Sequence, residues 1–315
     1  MKNLIVLVGP TGVGKTDVAI TLAKALGCEI INADSRQIYR DMVIGTAAPT
    51  EAQLREVRHY FVGTLSLNDY YSAARFESDV LSLLNGKNSA NAVGDCAREF
   101  SSRDTMLLSG GSMLYIDAVT KGIDDIPTVS DEVRTWMRQR LQDEGLERLT
   151  EELRLLDPDY YAIADRKNTQ RIIHALEICH QSGRPYSSFR TQASKPRPFN
   201  IIKIGLRRER QELFERINRR VELMIEAGLL DEARRLLPYR DSNALNTVGY
   251  KEMFKVLDGE WALPFAVERL KKNTRVYAKK QMTWWMRDNE IQWFQPEETD
   301  KILTFIRQNL AESQP

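Results

Sequence analysis

At 315 residues the chain is long enough to bury a large core, and two domains are its natural division. No run approaches the about 18 apolar residues of a membrane span, which predicts a soluble protein. Cys28, Cys96 and Cys179 are scattered without CxxC spacing, which excludes a disulfide framework and a cysteine zinc site and predicts a reduced, cytoplasmic setting. The formal charge of +1, from 45 basic and 44 acidic side chains, hides strong local imbalances described below.

The chain opens on Leu4-Ile5-Val6-Leu7-Val8, a buried strand by composition, and runs straight into Gly9-Pro10-Thr11-Gly12-Val13-Gly14-Lys15-Thr16. That octet matches G-x-x-x-x-G-K-[ST], and Asp17 to Leu26 reads as the helix such a phosphate loop requires. Backbone N–H groups of the loop and of the helix N-terminus form an anion site. Lys15 adds a point charge for the terminal phosphates, and the Thr16 hydroxyl is a candidate ligand for Mg²⁺. The short apolar start leads directly into this loop, so no secretory leader is expected.

A second strand is predicted over Glu29 to Asn32, placing Asp34 at its carboxyl end, where α/β sheets hold their ligands. Asp34 to Gly45 is predicted as a short helix and loop, and residues 72 to 85 as an amphipathic helix carrying Ala73, Phe76, Val80, Leu83 and Leu84 on one face. Thr105 to Leu108 is the next strand, followed by Ser109-Gly110-Gly111-Ser112 and a helix from Met113 to Thr120. The alternation predicts an α/β fold: a P-loop NTPase-like parallel sheet flanked by helices. Residues 130 to 182 carry helical periodicity without a strand candidate, punctuated by Asp157-Pro158 and closed by Gly183-Arg184-Pro185. This predicts an all-helical insertion, residues 124–186, within a core made of 1–123 and 187–315. Phe199 to Leu206 returns as a strand, and helices follow at about 209–227, 229–237, 249–257 and 262–285.

Two stretches are basic. Between 195 and 220, nine Lys and Arg face only Glu209, Glu212 and Glu215. Residues 269 to 287 hold Arg269, Lys271, Lys272, Arg275, Lys279, Lys280 and Arg287 with no acid at all, interleaved with Tyr277, Trp284 and Trp285. Solvated helix faces explain most charge runs, but an acid-free cluster with aromatics fits contact with a nucleic-acid backbone. For the tryptophan pair itself, core packing is favoured over base stacking.

In order along the chain, GPTGVGKT (9–16), ADSRQIY (33–39), IGTAAPT (44–50), GGSMLY (110–115), DEVR (131–134), NTQRIIHALE (168–177), ERINRRVELMIEAGLLDE (215–232), TVGYKE (247–252) and RVYAKKQMTWWM (275–286) resemble the bacterial tRNA dimethylallyltransferases, also called tRNA isopentenyltransferases. The blocks span nearly the whole chain. The resemblance implies transfer of a dimethylallyl group from its diphosphate, with Mg²⁺, to the exocyclic amine of the adenosine 3′ of the anticodon, in tRNAs reading codons that begin with U. It implies catalytic roles for Asp34, Thr11, Lys15 and Arg220, and diphosphate binding by the phosphate loop with Arg216 and Arg220. For tRNA it implies Asp34, Ser35, Arg36, Gln37, Ser112, Arg134, the block Gln170-Arg171-Ile172-Ile173-His174 and the block Asn246-Thr247-Val248-Gly249-Tyr250-Lys251. Of these, Ile172 and Ile173 also read as core. Ser112 stands where relatives usually have threonine, and His174 and Asn246 where arginine is common. A monomer clamping the anticodon stem with its helical insertion is expected.

The residues support this chemistry on their own terms. An allylic diphosphate ionises when its leaving group is neutralised, and an aryl amine needs an acceptor for its proton, for which Asp34 is the candidate. Alternatives stand beside each assignment: Asp34 as a loop-satisfying carboxylate, Thr11 as a turn hydroxyl, Ser112 as a helix cap, and Arg216 and Arg220 paired with Glu212 or Glu215. Gly249 suggests a close backbone approach. The rival activity is a P-loop kinase of a nucleotide or small metabolite, yet the third strand ends in LLSGGS without the Mg²⁺-holding acid such kinases carry there. A GTPase would need an N-K-x-D signature that is missing.

Overall fold

The computed structural model describes residues 2–86, 92–93, 104–191 and 194–312, which form two compact units, Met1–Lys121 with Pro196–Pro315, and Gly122–Lys195. Cys96 lies outside the described residues.

The first unit is built on a seven-stranded sheet: β1 (Lys2–Val8), β2 (Glu29–Asn32), β3 (His59–Tyr60), β4 (Ala92–Val93), β5 (Thr105–Ser109), β6 (Phe199–Leu206) and β7 (Gln292–Phe294), in the order β4-β3-β2-β5-β1-β6-β7. Six strands run parallel, and β4 alone pairs antiparallel, with β3. β1 lies between β5 and β6, and Leu4 to Val8, which alternate between its two faces, are all buried, so both faces are covered. This is why its sequence is an unbroken apolar run rather than an alternation. Each such side chain withdrawn from water contributes about 1.5–3 kcal/mol.

Helices α1 (Lys15–Leu26), α2 (Glu51–Glu56), α3 (Ala73–Leu84) and α4 (Met113–Lys121) connect the first strands. After the helical unit come α8 (Arg210–Glu226), α9 (Leu229–Leu236), α10 (Tyr250–Leu257), α11 (Leu263–Trp285) and α12 (Thr299–Glu312). The two-residue β3, and β4, β7, α2 and α12, carry no sequence signal strong enough to announce them. Asp34 to Gly45 holds no helix. The carbonyls of Gln37 and Ile38 accept from Gly63, Thr64 and Leu65 instead of from the next helical turn, so the segment is a series of turns. Arg197 pins the chain on either side of the second unit: it donates to Ala118 O (2.5 Å) and to Glu77 (2.5 Å), in a buried ion pair.

The second unit comprises α5 (Asp131–Leu156), broken at Gly145 (φ 80°), α6 (Pro158–Ile163) and α7 (Thr169–Ser182). Residues 187–195, which the sequence reading gives to the core, group here. Thr191 donates to Asp124 Oδ1 through its N–H (3.1 Å) and hydroxyl (2.6 Å), and Lys195 pairs with Asp125. Ile172 and Ile173 are buried with Met137, Leu149, Leu153 and Leu176. Their side chains hold the helices together rather than facing a nucleic acid. Asp157 explains the Asp-Pro punctuation: fully buried, it caps α6 by accepting from Tyr160 N–H (3.0 Å) and accepts from Ser187 N–H (2.7 Å). Asp157→Ala orphans both donors and is expected to cost about 2 kcal/mol of stability, read as a lower denaturant midpoint followed by helical circular dichroism.

Candidate active site

β1, β2, β5 and β6 end on the same edge of the sheet, and the loops that follow them converge there. Gly9 to Thr16 wraps the start of α1, Asp34 follows β2, Gly110 to Ser112 follow β5, and Arg208 follows β6. Gly110 is required by close approach: a Cβ there would sit 2.1 Å from Ala33 O.

Two cavities open at this edge. The first, of about 280 Å³, is lined by Thr11, Gly12, Gly14, Lys15, Thr16, Asp34, Gln37, Arg216 and Arg220 together with Ser109 to Gly111, Tyr277 and Gln281. The second, of about 500 Å³, is lined by Ser35, Arg36, Ser112, Asn246, Thr247, Val248 and Lys251, with Val221, Met224 and Leu270 supplying an apolar side. Thr11, Asp34, Thr46, Arg220 and Tyr277 line both. The cavities therefore adjoin, and the candidate base lies on their common wall.

Three arginines after β6 grip the phosphate loop. Arg208 donates to Val13 O (3.0 Å), Arg216 to Gly12 O (3.0 Å) and Arg220 to the Thr11 hydroxyl. Arg216 and Arg220 share the face of α8 that their four-residue spacing dictates. Neither pairs with Glu212 or Glu215, which are occupied by Arg208 and Gln211. The Arg220 Nε is buried without a partner, a spare cationic donor beside both cavities. Lys15 donates to the carbonyls of Gly9 (2.6 Å) and Pro10 (3.0 Å). Burial, and then the Arg220 charge, push Lys15 down to about 7 against the pull of Asp34. The pocket is thus charged ahead of its ligand and stabilised by an incoming anion.

Asp34 satisfies its own loop through one carboxylate oxygen. Its Oδ1 accepts from Arg36 N–H (2.9 Å) and Gln37 N–H (3.2 Å), holding the turn. Oδ2 has no hydrogen-bond partner among the described residues. Ser112 is a tether rather than a cap: its hydroxyl accepts from Ser35 N–H (2.8 Å) and donates to Ser35 Oγ (3.1 Å). Gln37 donates to Thr46 O (3.0 Å) and Ala47 O (3.1 Å), so its amide also holds the 44–50 segment.

Other assignments change. Tyr250 is fully buried, its ring against Gly45 and its hydroxyl donating to Glu232 (2.7 Å), so it does not face a ligand. Gly249 makes no unusually close approach. It is glycine because φ is +105°, and its N–H donates to Glu252 (2.7 Å). Trp285 is buried, but Trp284 is over a third exposed and donates to Asp117 (2.8 Å), against the core reading for the pair. The imbalance between 195 and 220 is partly neutralised in space: Arg197 meets Glu77, Lys203 meets Asp288 and Glu290, and Arg208 meets Glu297, while Arg216 and Arg220 turn to the phosphate loop. The run from 269 to 287 is less fully neutralised. Lys272, Lys279, Lys280 and Arg287 are exposed, with no ion pair among the described residues, whereas Lys271 pairs with Glu222 and Glu268. Arg134, Gln170, Arg171 and His174 belong to the helical unit, where Gln170, Arg171 and His174 are exposed.

Sequence reasoning missed the residues that hold the walls. Buried Glu232 accepts from the N–H groups of Val43 (3.2 Å), Ile44 (2.8 Å) and Gly45 (2.8 Å) as well as from Tyr250, and Glu252 accepts from Asn273 (2.6 Å). Gln281 joins the phosphate loop to Gly111. No local pattern marks an acid or amide as buried, because the partners come from distant segments.

Sheet, phosphate loop and cationic pocket define a P-loop α/β protein with an anion cradle beside a second, larger cavity. The IPP transferase family model matches residues 37–288. The chain is 57% identical to tRNA dimethylallyltransferase 1 of Bacteroides thetaiotaomicron, over 99% of this chain and 97% of that protein. It is 44% identical to tRNA dimethylallyltransferase of Christiangramia forsetii, over 98% and 99%. Among solved structures, a tRNA isopentenylpyrophosphate transferase from Bacillus halodurans superposes with a TM-score of 0.69 at 33% identity, covering 99% of this chain and 98% of that one. A eukaryotic dimethylallyltransferase acting on tRNA shares the fold, with a TM-score of 0.71 at 23% identity over 94% and 74%. The chain belongs to the IPP transferase family. Among the described residues no helix is long and apolar enough to cross a membrane.

The Lys15 environment makes a pH prediction. Diphosphate binding places negative charge beside an amine held at about 7, so its affinity for protons rises and binding takes up a proton above that pH. Inorganic diphosphate is expected to bind more weakly as pH climbs from 7 to 9. Calorimetry at pH 8 in buffers of different ionisation enthalpy should record the uptake, and Lys15→Arg should remove Lys15's share of it.

Proposed function

We propose that this protein transfers a dimethylallyl group from dimethylallyl diphosphate to N6 of the adenosine 3′ of the anticodon, in tRNAs reading codons that begin with U. The observation that carries the reading is the common wall: Thr11, Asp34 and Arg220 line both an anion cradle and a cavity large enough for a base. The diphosphate lies along Gly12 to Thr16, met by loop N–H groups, Lys15, Arg216 and Arg220. As the allylic C–O bond breaks, the charge gathering on the leaving diphosphate is stabilised by donors already in place. The target adenine, extruded from the anticodon stack, enters the second cavity between the 34–37 turn and the 246–251 segment. Its N6 attacks the allylic carbon and its proton passes to the free Oδ2 of Asp34.

The donor set suits Mg²⁺. The Thr16 hydroxyl has no partner among the described residues, and no cluster of three His, Cys, Asp or Glu occurs among them. A hard cation would therefore be held by Thr16, substrate oxygens and water, as Mg²⁺ prefers. When bound it neutralises leaving-group charge. The protein acts as a cytoplasmic monomer, with exposed Arg171 and Gln170 of the helical unit (residues 124–186 in the sequence reading), Lys251, and the free cations of α11 on tRNA phosphates.

With dimethylallyl diphosphate, Mg²⁺ and unmodified tRNA, mass spectrometry should find C5H8 added to one adenosine. Phosphate release from ATP without tRNA modification would instead favour the kinase. Asp34→Asn keeps the turn while weakening the proton acceptor. It is expected to lower turnover by about 10²-fold or more with tRNA affinity retained in a filter-binding assay, and loss of tRNA binding would remove Asp34 from its role as base.

A further inference from the structure

We propose that Gln281 is a positioning residue that sets the spacing between the leaving-group cradle and the acceptor side of the site; the proposal rests on the transfer reaction above. Gln281 comes from the middle of the basic run on α11, yet only 1% of its surface is exposed. Its Oε1 accepts from Thr11 N–H (2.8 Å), and its Nε2 donates to Gly111 O (2.8 Å). One side chain thus spans the loops after β1 and β5. Both ends bear on reacting groups. Thr11 is held at its hydroxyl by Arg220, so Gln281 and Arg220 together fix its backbone and side chain. Gly111 lies against Asp34: a Cβ built on it would be 3.7 Å from Asp34 Oδ2 and 2.9 Å from Gln281 Nε2. The next residue, Ser112, tethers Ser35. Gln281 thus links the threonine on the donor side to the backbone that lies against the carboxylate on the acceptor side, and it does not need to touch either substrate.

The amide is chemically suited to this. It offers an acceptor to an N–H and a donor to a carbonyl at once, without placing charge among Lys15, Arg220 and Asp34. Tyr277, one turn earlier on α11, also reaches Gly111 O (3.4 Å), so the helix addresses that carbonyl twice.

The test compares Gln281→Met, which keeps length and apolar volume but removes both hydrogen bonds, with Gln281→Glu, which keeps the acceptor for Thr11 N–H and removes the donor to Gly111 O. Full-length proteins are assayed by single-turnover transfer at saturating dimethylallyl diphosphate and tRNA, with KM values and melting temperatures. Gln281→Met is expected to lose about 10²-fold in transfer rate, the scale of a small misplacement of reacting groups. The KM values of both substrates should stay within about threefold of the wild type, the pattern of a group acting at the transition state. Gln281→Glu, which sets a buried carboxylate oxygen against Gly111 O, should lose at least as much as Gln281→Met. Wild-type rates in both variants, or a loss confined to KM, would overturn the proposal. If Gln281→Met does not fold, the rate of Gln281→Glu decides alone. Absence of transfer by the wild-type protein would instead overturn the reaction reading.

Discussion

Everything at this site depends on keeping the phosphate loop rigid while its cations stay unneutralised. A glycine-rich loop has little intrinsic preference for one shape, and its N–H groups must point at a ligand rather than at each other. The protein meets this from outside the loop. Arg208, Arg216, Arg220 and Gln281 each take one backbone or hydroxyl group of residues 11–13, leaving Gly14 to Thr16 to the anion. The holders are mostly cationic, so the same contacts that stiffen the loop raise its positive potential. Asp34 is the acid shared by both cavities there, which ties the carboxylate electrostatically to the cradle it faces.

The acceptor side is held differently. Glu232 and Glu252 are buried carboxylates with no cationic partner among the described residues, satisfied by backbone N–H groups, a tyrosine hydroxyl and an asparagine amide. Such networks are costly when incomplete and stiff when complete. Glu232, on α9, joins the 43–45 turn to Tyr250 at the start of α10, so two segments beside the larger cavity are fixed by one side chain. Shape is fixed there without adding positive charge, which leaves the exposed lysines of α11 as the cationic surface.

Much of this was legible in the residues alone. The phosphate loop is readable because its function is a backbone property, and backbone constraints force glycines at fixed spacing. Asp34 was readable from its place after a strand beside that loop, and the absence of an acid after β5 argued against a kinase. The β3 and β7 strands were not readable, since two or three residues carry no periodicity and owe their pairing to neighbours already in the sheet. Tyr250 was assigned to tRNA only through the resemblance of its block, yet a distant glutamate claims its hydroxyl. Gln281 sat unnoticed among lysines. The 195–220 charge run misled in part for the same reason: Glu77, Asp288, Glu290 and Glu297 neutralise cations far from them in sequence.

Arg197 follows the inserted helices and is bonded to Ala118, just before they begin, and to Glu77 beside it. The core is therefore closed across the insertion point by its own side chains. Such a layout frees the helices to lengthen, shorten or be exchanged over generations with little penalty to the sheet. The inserted helices and the site at the sheet edge can then diverge at separate rates within one polypeptide.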